Sequence, residues 1–494
     1  MRPLGTITMY YQFIGDEVVS IIEDIMKHAE NYYDFVIKLS KKACLDANPS
    51  ILAHIAAVHA WRLSATDAKK ELYERFGNRN PIIRSWTAAQ HELGIDELFG
   101  SISSAIEMAT EDWLLIELLC LKTWYARYHI RSDELWYQPL ERAEAMLQEK
   151  PEMECLEALV LTVRSEVAFM DQFLDRAYDT YNKGIELAKK YDDQFQVYQL
   201  LWTCSSWIKT YDARRALELQ EEAYTLAKSF GAPQKIAEAM ADIGRISECL
   251  GEYDLAIQCY QNSISTYGSP GMELYREVMD SPTFGLSRIY CELGDGTSGL
   301  EWINLTFDIV GEFASEIPYL YAQRAEALVL LKRYQEATSQ LEICHGISLK
   351  SGGEGYLALC ELATGYLEIA QGDPFTAIQT LAPGLEYLSQ GPAAIYINRF
   401  LIALTRAEIA LNICKNPPES SEKWMSELEK HALERNLPGI QMMHALLKSE
   451  YLLSRGLTDY AIEILSNSLD EEYSDTTKTL YNRVEAKLGE LQNP

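Results

Sequence analysis

The chain has 494 residues, 48% of them hydrophobic, and 44 basic against 73 acidic side chains leave a formal charge of −29. That much apolar material fills one elongated array or two to three compact domains, while an acidic field repels DNA and RNA, whose binders set a basic face against the phosphates. The longest apolar stretches, 113–121 and 400–413, are broken by Glu117 and by Arg406 and Glu408, and so fall short of the roughly 20 residues a membrane helix needs.

In chain order, residues 1–30 lack a basic start followed by an apolar block, because Asp16, Glu17, Glu23 and Asp24 interrupt it. No secretory signal is visible there, and a cytoplasmic location is expected. Residues 13–45 carry amphipathic helix spacing at Ile14, Val18, Ile21, Ile22 and Ile25, then at Tyr33, Phe35 and Val36. The segment 1–49 either joins the helices after it or forms a small unit of its own. Residues 50–149 read as degenerate helical repeats, with Trp61, Trp113, Trp124 and Trp136 as packing anchors. Proline is sparse at 16, strand-like alternation is almost absent, and apolar residues recur at i, i+3, i+4 and i+7. The ten cysteines stand singly, mostly among apolar residues, with no C-x-x-C. They read as reduced core residues, which leaves the triplet Asn304-Leu305-Thr306 without a compartment for glycosylation.

From residue 150 a repeat dominates. Its clearest unit, 236–268, has Met240, Ile243 and Gly244 on a first helix, a Gly251-Glu252-Tyr253 turn, then Ala256, Tyr260 and Ile264 on a second. Gly244 and Ala256 are small where two helices cross, and Tyr260 is large where the next helix must be met. With Ala256 as anchor, Ala177, Ala216, Ala337, Ala377 and Ala461 take similar places, at intervals of 39, 40, 81, 40 and 84. Each long interval hides a degenerate unit, one turning at Gly294-Asp295-Gly296 and one broken at Asn416-Pro417-Pro418. Ala143, 34 residues before Ala177, puts the start of the array earlier than 150.

These units resemble the tetratricopeptide (TPR) superfamily over roughly 150–470, with a period near 40 in place of the common 34. Such long-period units look like those of bacterial and archaeal signalling proteins, including the sensor arms of STAND-type ATPases. HEAT-like repeats share the period but lack the Gly-Glu-Tyr turn. The resemblance implies an all-α fold, a right-handed α-solenoid (superhelix) of eight to eleven antiparallel helix pairs. Residues 471–494, with Leu480, Val484, Leu488 and Leu491 on one stripe, read as its capping helix.

Chemistry is harder to find in the sequence. No phosphate-binding loop is present, since Gly294-Asp295-Gly296 and Gly352-Gly353-Glu354-Gly355 lack the following lysine. The histidines are too scattered for a metal pair, and acidic runs such as Asp470-Glu471-Glu472 read as solvated faces. No catalytic set, metal or cofactor is expected. The expected site is basic: Arg245 and Arg288 at matched groove-facing positions, with Arg164, Arg324 and Arg399 on the first helices of other units, as a positive stripe for a partner's carboxylate or phosphate. The alternative is pairing with Glu166, Glu238, Glu248 or Glu326 on neighbouring helices. The carboxylate clamp of chaperone-binding TPRs is not expected, because its Lys-x-x-x-Asn spacing occurs only at Lys478–Asn482, in the terminal helix. Tyr319, Tyr321, Tyr356, Tyr366, Tyr387 and Tyr396 are further groove candidates. The expected function is a non-catalytic scaffold or adaptor holding a partner protein's peptide or helix in its concave groove, as a homo-oligomer or as a subunit of a larger complex, with no direct nucleic-acid or membrane binding. The alternative is a regulatory sensor arm acting in trans with a STAND-like ATPase or a transcriptional regulator.

Overall fold

The computed structural model describes residues 10–492 apart from 47–48, 88–94, 130–132, 172, 210, 268–280, 312–316, 352–353, 390–393, 416–421 and 470–474. The acidic run at 470–472, the break at 416–418 and the Gly352-Gly353 pair therefore lie outside the described residues. Every regular element among the described residues is helical. The chain divides into two compact units, Met1–Trp207 with Glu218–Ala239 and Ile208–Leu217 with Met240–Pro494.

Unit 1 starts with α1 (Asp16–His28), α2 (Tyr32–Ala43), α3 (Ile51–Arg62), α4 (Thr66–Leu72), α5 (Pro81–Thr87) and α6 (Ile95–Met108). It continues through α7 (Asp112–His129), α8 (Asp133–Glu149), α9 (Glu157–Met170), α10 (Leu174–Lys190) and α11 (Gln194–Ile208). Helices α12 (Ala213–Phe230) and α13 (Pro233–Leu250) contain residues of both units. The early helices are part of unit 1 and not a separate piece: Tyr32 packs edge-on to Phe230 at 5.9 Å, and Asn31, whose side chain caps α2, lies against Gly231. The tryptophan anchors meet in space, with Trp61 edge-on to both Trp86 and Trp124 and Trp113 edge-on to Tyr10. Such pairs add about 0.5–1.5 kcal/mol each beyond the area they bury.

Unit 2 is regular. Its helices are α14 (Tyr253–Tyr267), α15 (Pro282–Glu292), α16 (Gly296–Val310), α17 (Pro318–Leu330), α18 (Tyr334–Ser351) and α19 (Glu354–Ala370). Then come α20 (Pro374–Leu388), α21 (Ala394–Lys415), α22 (Lys423–Glu434), α23 (Pro438–Ser454), α24 (Thr458–Asn467) and α25 (Lys478–Gln492). Odd-numbered helices from α13 are the A helices of hairpins and even-numbered ones the B helices. Proline opens α15, α17, α20 and α23, where its missing N–H costs nothing. The A–B turn is one structure used repeatedly. A residue in the left-handed region (Gly251, Gly294, Lys332, Gly372 or Gly456) lets the next amide reach back five residues, as Asp295 N does to Tyr290 O at 2.8 Å. Successive A helices α15, α17, α19, α21, α23 and α25 pack side by side. One apolar core runs through Phe284, Ile303, Leu320, Leu362, Leu381 and Phe400.

An open array would leave its first pair far from its last. In unit 2 they meet. Asp254 on α14 accepts from Thr479 N at 2.8 Å and from Thr479 Oγ1 at 2.7 Å, holding the start of α25. The A–B turn between α13 and α14 lies on the start of α23 so closely that a Cβ on Gly439 would stand 1.9 Å from Gly251 O. Asn398 Nδ2 on α21 donates to Cys249 O at 2.9 Å. The apolar stripe of α25 is buried at Leu480 and Val484, and the helix joins α23 and α24 to α14. The segment that reads as a capping helix thus closes the unit.

Candidate functional site

Ala177, Ala216, Ala256, Ala337, Ala377 and Ala461 are all fully buried, each early in its B helix. Twelve residues before them stand Ser165, Cys204, Gly244, Ala325, Gly365 and Ser449, and Ser287 stands twelve before Gly299. All are small, and this second series is the signal that sequence reading missed beyond Gly244. It marks where A and B helices cross: Ser165 Oγ donates to Ala177 O at 3.1 Å and Ser287 Oγ to Gly299 O at 2.8 Å. The same bond recovers the register of the weaker pairs, Thr123 to Trp136 O and Thr405 to Trp424 O. Tyr260 fills the space between repeats, because a Cβ on Gly244 or Gly285 would come within 2.9 or 2.5 Å of its ring. Small at the crossing, large between neighbours: this is a TPR-like repeat fold.

The residue after each small one points along the A-helix face. In chain order that row reads Glu166, Ser205, Arg245, Arg288, Glu326, Tyr366, Arg406 and Glu450. The structure brings Arg288 and Arg399, two of the five expected arginines, into one buried network, and they flank the Tyr396 ring at 5.9 Å each. Arg288 donates to both oxygens of Glu248, at 2.8 and 2.9 Å, and Tyr260 Oη donates to the same carboxylate. Arg399 donates to Glu292 at 2.8 Å and also pairs with Glu326, while Tyr366 Oη donates to Glu292 at 3.1 Å. Arg245 pairs with Asp242 on its own helix, and Arg164, in unit 1, forks onto Glu144. Arg324 lies half-buried over the Phe307 ring at 4.9 Å, away from the network. Four of the five arginines are committed to internal carboxylates, two of which, Glu248 and Glu326, were the alternative partners. Arg406, which sequence reading passed over, sits at the row position above Tyr366, 5.7 Å from its ring centre.

Electrostatics follow from burial. Desolvation works against the Arg399 charge, but the carboxylates of Glu326 and Glu292 overcome it and hold the guanidinium protonated. Burial lifts Glu326 to about 7 against the pull of Arg399. Unit 1 has its own ionic centre, where Arg62 donates to Glu117 at 2.5 Å and both are almost fully buried. Tyr10 Oη donates to the same carboxylate, and Tyr32 bonds His59, which burial and then Arg62 keep neutral. Buried pairs of this kind stabilise little in net terms, yet are costly to break on one side, so they fix register. Among the described residues no group of side chains is placed to hold a metal ion, the nine cysteines from Cys44 to Cys360 are free thiols, and no helix is long and apolar enough to cross a membrane.

No protein-family model and no curated protein sequence matches the chain. Among solved structures, it is similar to a Rap protein complexed with Competence and Sporulation Factor, at 12% identity and a TM-score of 0.42, over 68% of this chain and 99% of that one. It is also similar to yeast Tom70, at 11% identity and a TM-score of 0.34, over 92% of this chain and 98% of that one.

Proposed function

We propose that this chain is a non-catalytic protein-interaction scaffold that takes a basic segment of a partner protein along its A–B turns. The observation that carries the reading is a recurring exposed pair, one large apolar side chain beside one carboxylate. Phe173 stands with Asp175, Tyr211 with Asp212, Phe375 with Asp373, and Leu457 and Tyr460 with Asp459. Hairpins stacked side by side bring successive turns to one edge of a unit. Large apolar side chains left in water at a repeated position favour a binding surface. The carboxylates and the net charge of −29 favour lysine and arginine on the partner. The A-helix face of unit 2 is less suited to the groove binding that the TPR resemblance implies, because a peptide there competes with the Arg288 and Arg399 ion pairs. An adaptor and a sensor arm working in trans with an ATPase or a transcriptional regulator would both use such an edge, and the partner's identity separates them.

The test compares the wild-type chain with a Phe375→Ser/Tyr460→Ser variant as baits in native lysate at low salt. The proposal expects proteins held by the wild type to be lost from the variant and from the wild type at high salt, with unchanged melting of the bait. An identical set of captured proteins on both baits removes the turn-edge reading.

A further inference from the structure

A recess of about 420 Å³ opens in unit 1 between residues 77–84, which lead into α5, and α6, within the size range of small-molecule sites. Its lining is polar and basic in an otherwise acidic chain: Arg79 and Arg84 face it, and Glu97 is the one carboxylate among the described residues that line it. Glu97 is already held by Arg84 Nη2, so two guanidiniums against one carboxylate leave an excess positive charge.

The floor has donors without partners among the described residues. Ser101 is 8% exposed, lines the recess, and its Oγ has no hydrogen-bond partner there. Arg84 Nε is buried and equally unsatisfied. A buried donor left without an acceptor is costly, so such atoms call for one. Asn80, 7% exposed, is fixed beside them by accepting from Ile83 N at 3.0 Å, while Arg79 is exposed at the rim.

The backbone is unusual at the same place. Residues Tyr73–Gly77 form a turn of π-helix, an irregularity that recurs at functional sites. Phe76 O then accepts from both Arg79 N and Asn80 N, at 2.9 Å each, which turns these two residues toward the recess. Gly77 permits the turn, since a Cβ there would stand 2.5 Å from the Tyr73 ring.

We propose that this recess binds a small hydroxylated phosphate monoester of sugar-phosphate size. Arg79, Arg84 Nε and Ser101 Oγ come from three separate segments, the loop before α5, α5 and α6, a set that suits three terminal phosphate oxygens better than the two coplanar oxygens of a carboxylate. The outer oxygen of Glu97 is left for a hydroxyl on the body of the ligand, while the Asn80 amide is held by Ile83 N and His54 Nε2. The site is independent of the turn-edge scaffold reading and stands or falls without it.

The experiment is calorimetric titration of the full chain with ribose 5-phosphate, inorganic phosphate and succinate in turn. Ribose 5-phosphate is expected to bind saturably at one site per chain, and inorganic phosphate to compete with it. Arg79→Gln and Arg84→Gln should each weaken binding at least tenfold and Ser101→Ala severalfold, whereas Arg333→Gln, on an exposed ion pair of unit 2, leaves it unchanged. If Arg84→Gln disturbs the fold, Arg79→Gln at the exposed rim still decides. Absence of saturable binding by both phosphate probes overturns the proposal. So does succinate binding as tightly as ribose 5-phosphate, or affinity unchanged in Arg79→Gln and Ser101→Ala.

Discussion

The two units solve one problem differently. Each encloses charge at its centre, but unit 1 surrounds the Arg62–Glu117 pair with aromatic rings, whereas unit 2 joins Arg288 and Arg399 to Glu248, Glu292 and Glu326 across four A helices. The difference follows from regularity. In unit 2 the repeat returns the same register on every A helix, so polar side chains from distant repeats come face to face. Unit 1 opens with short helices and a π turn, and Trp61, Trp86, Trp113 and Trp124 fill the space around its pair. A regular repeat can afford a charged centre because its geometry supplies a partner for each charge.

The largest effect that sharpens this contrast comes from removing one cation. Arg399→Met leaves Glu292 and Glu326 buried without their partner and should cost unit 2 about 3–5 kcal/mol. Arg62→Met should cost unit 1 a similar amount. Hydrogen exchange read peptide by peptide should place each loss in its own unit. Adding Glu292→Gln and Glu326→Gln to Arg399→Met should recover most of the loss, because no charge is then stranded.

Next in size is the closure contact. Gly439→Val drives a side chain into Gly251 O and should destabilise unit 2 by about 2–3 kcal/mol, with faster exchange at the start of α23 and at the turn before α14.

The pH response of Glu326 is of similar magnitude. Its folded value of about 7 lies above the ordinary 4.5, so between those values the folded chain holds a proton that the unfolded chain has released. Stability from this group is full below about 4.5 and is lost as pH rises to 7, on the order of 3 kcal/mol in all. Glu326→Gln has no such slope. Its melting temperature relative to the wild type should therefore climb across that window; a flat difference would mean that Arg399 keeps the carboxyl ionised throughout. Buried His54, His431 and His444, lowered to about 4, contribute the opposite slope in both proteins and cancel in the comparison.

The smallest stability effects are at the edges. Asp254→Ala removes two bonds to Thr479 and should cost about 1 kcal/mol, seen as fraying of α25. Phe375→Ser and Tyr460→Ser should change stability by less than about 0.5 kcal/mol, as exposed sites do.

Much of the fold was legible because a helix crossing tolerates only small residues. Ala177, Ala216, Ala256, Ala337, Ala377 and Ala461 each mark one, and the series twelve residues earlier would have sharpened the register. The ionic network was not legible. Arg399 meets Glu292 and Glu326 across 107 and 73 positions, and periodicity along one helix says nothing about which charge faces it from another. For the same reason Arg245 and Arg288 read as a groove-facing stripe although each had a carboxylate waiting. Closure was hidden too. The stripe of Leu480 and Val484 fits an end cap and a closing helix equally well, and only the bonds between Asp254 and Thr479 distinguish them.

Closure of unit 2 on itself rests on the bonds between α14 and α25 and on the packing of the turn before α14 against α23. It is tested most directly by an Asp254→Cys/Thr479→Cys chain treated with a short bismaleimide and mapped by peptide mass. The account predicts rapid linkage of 254 to 479 in the native chain, lost in denaturant. Failure to link in the native state, with both thiols reacting singly, would contradict it.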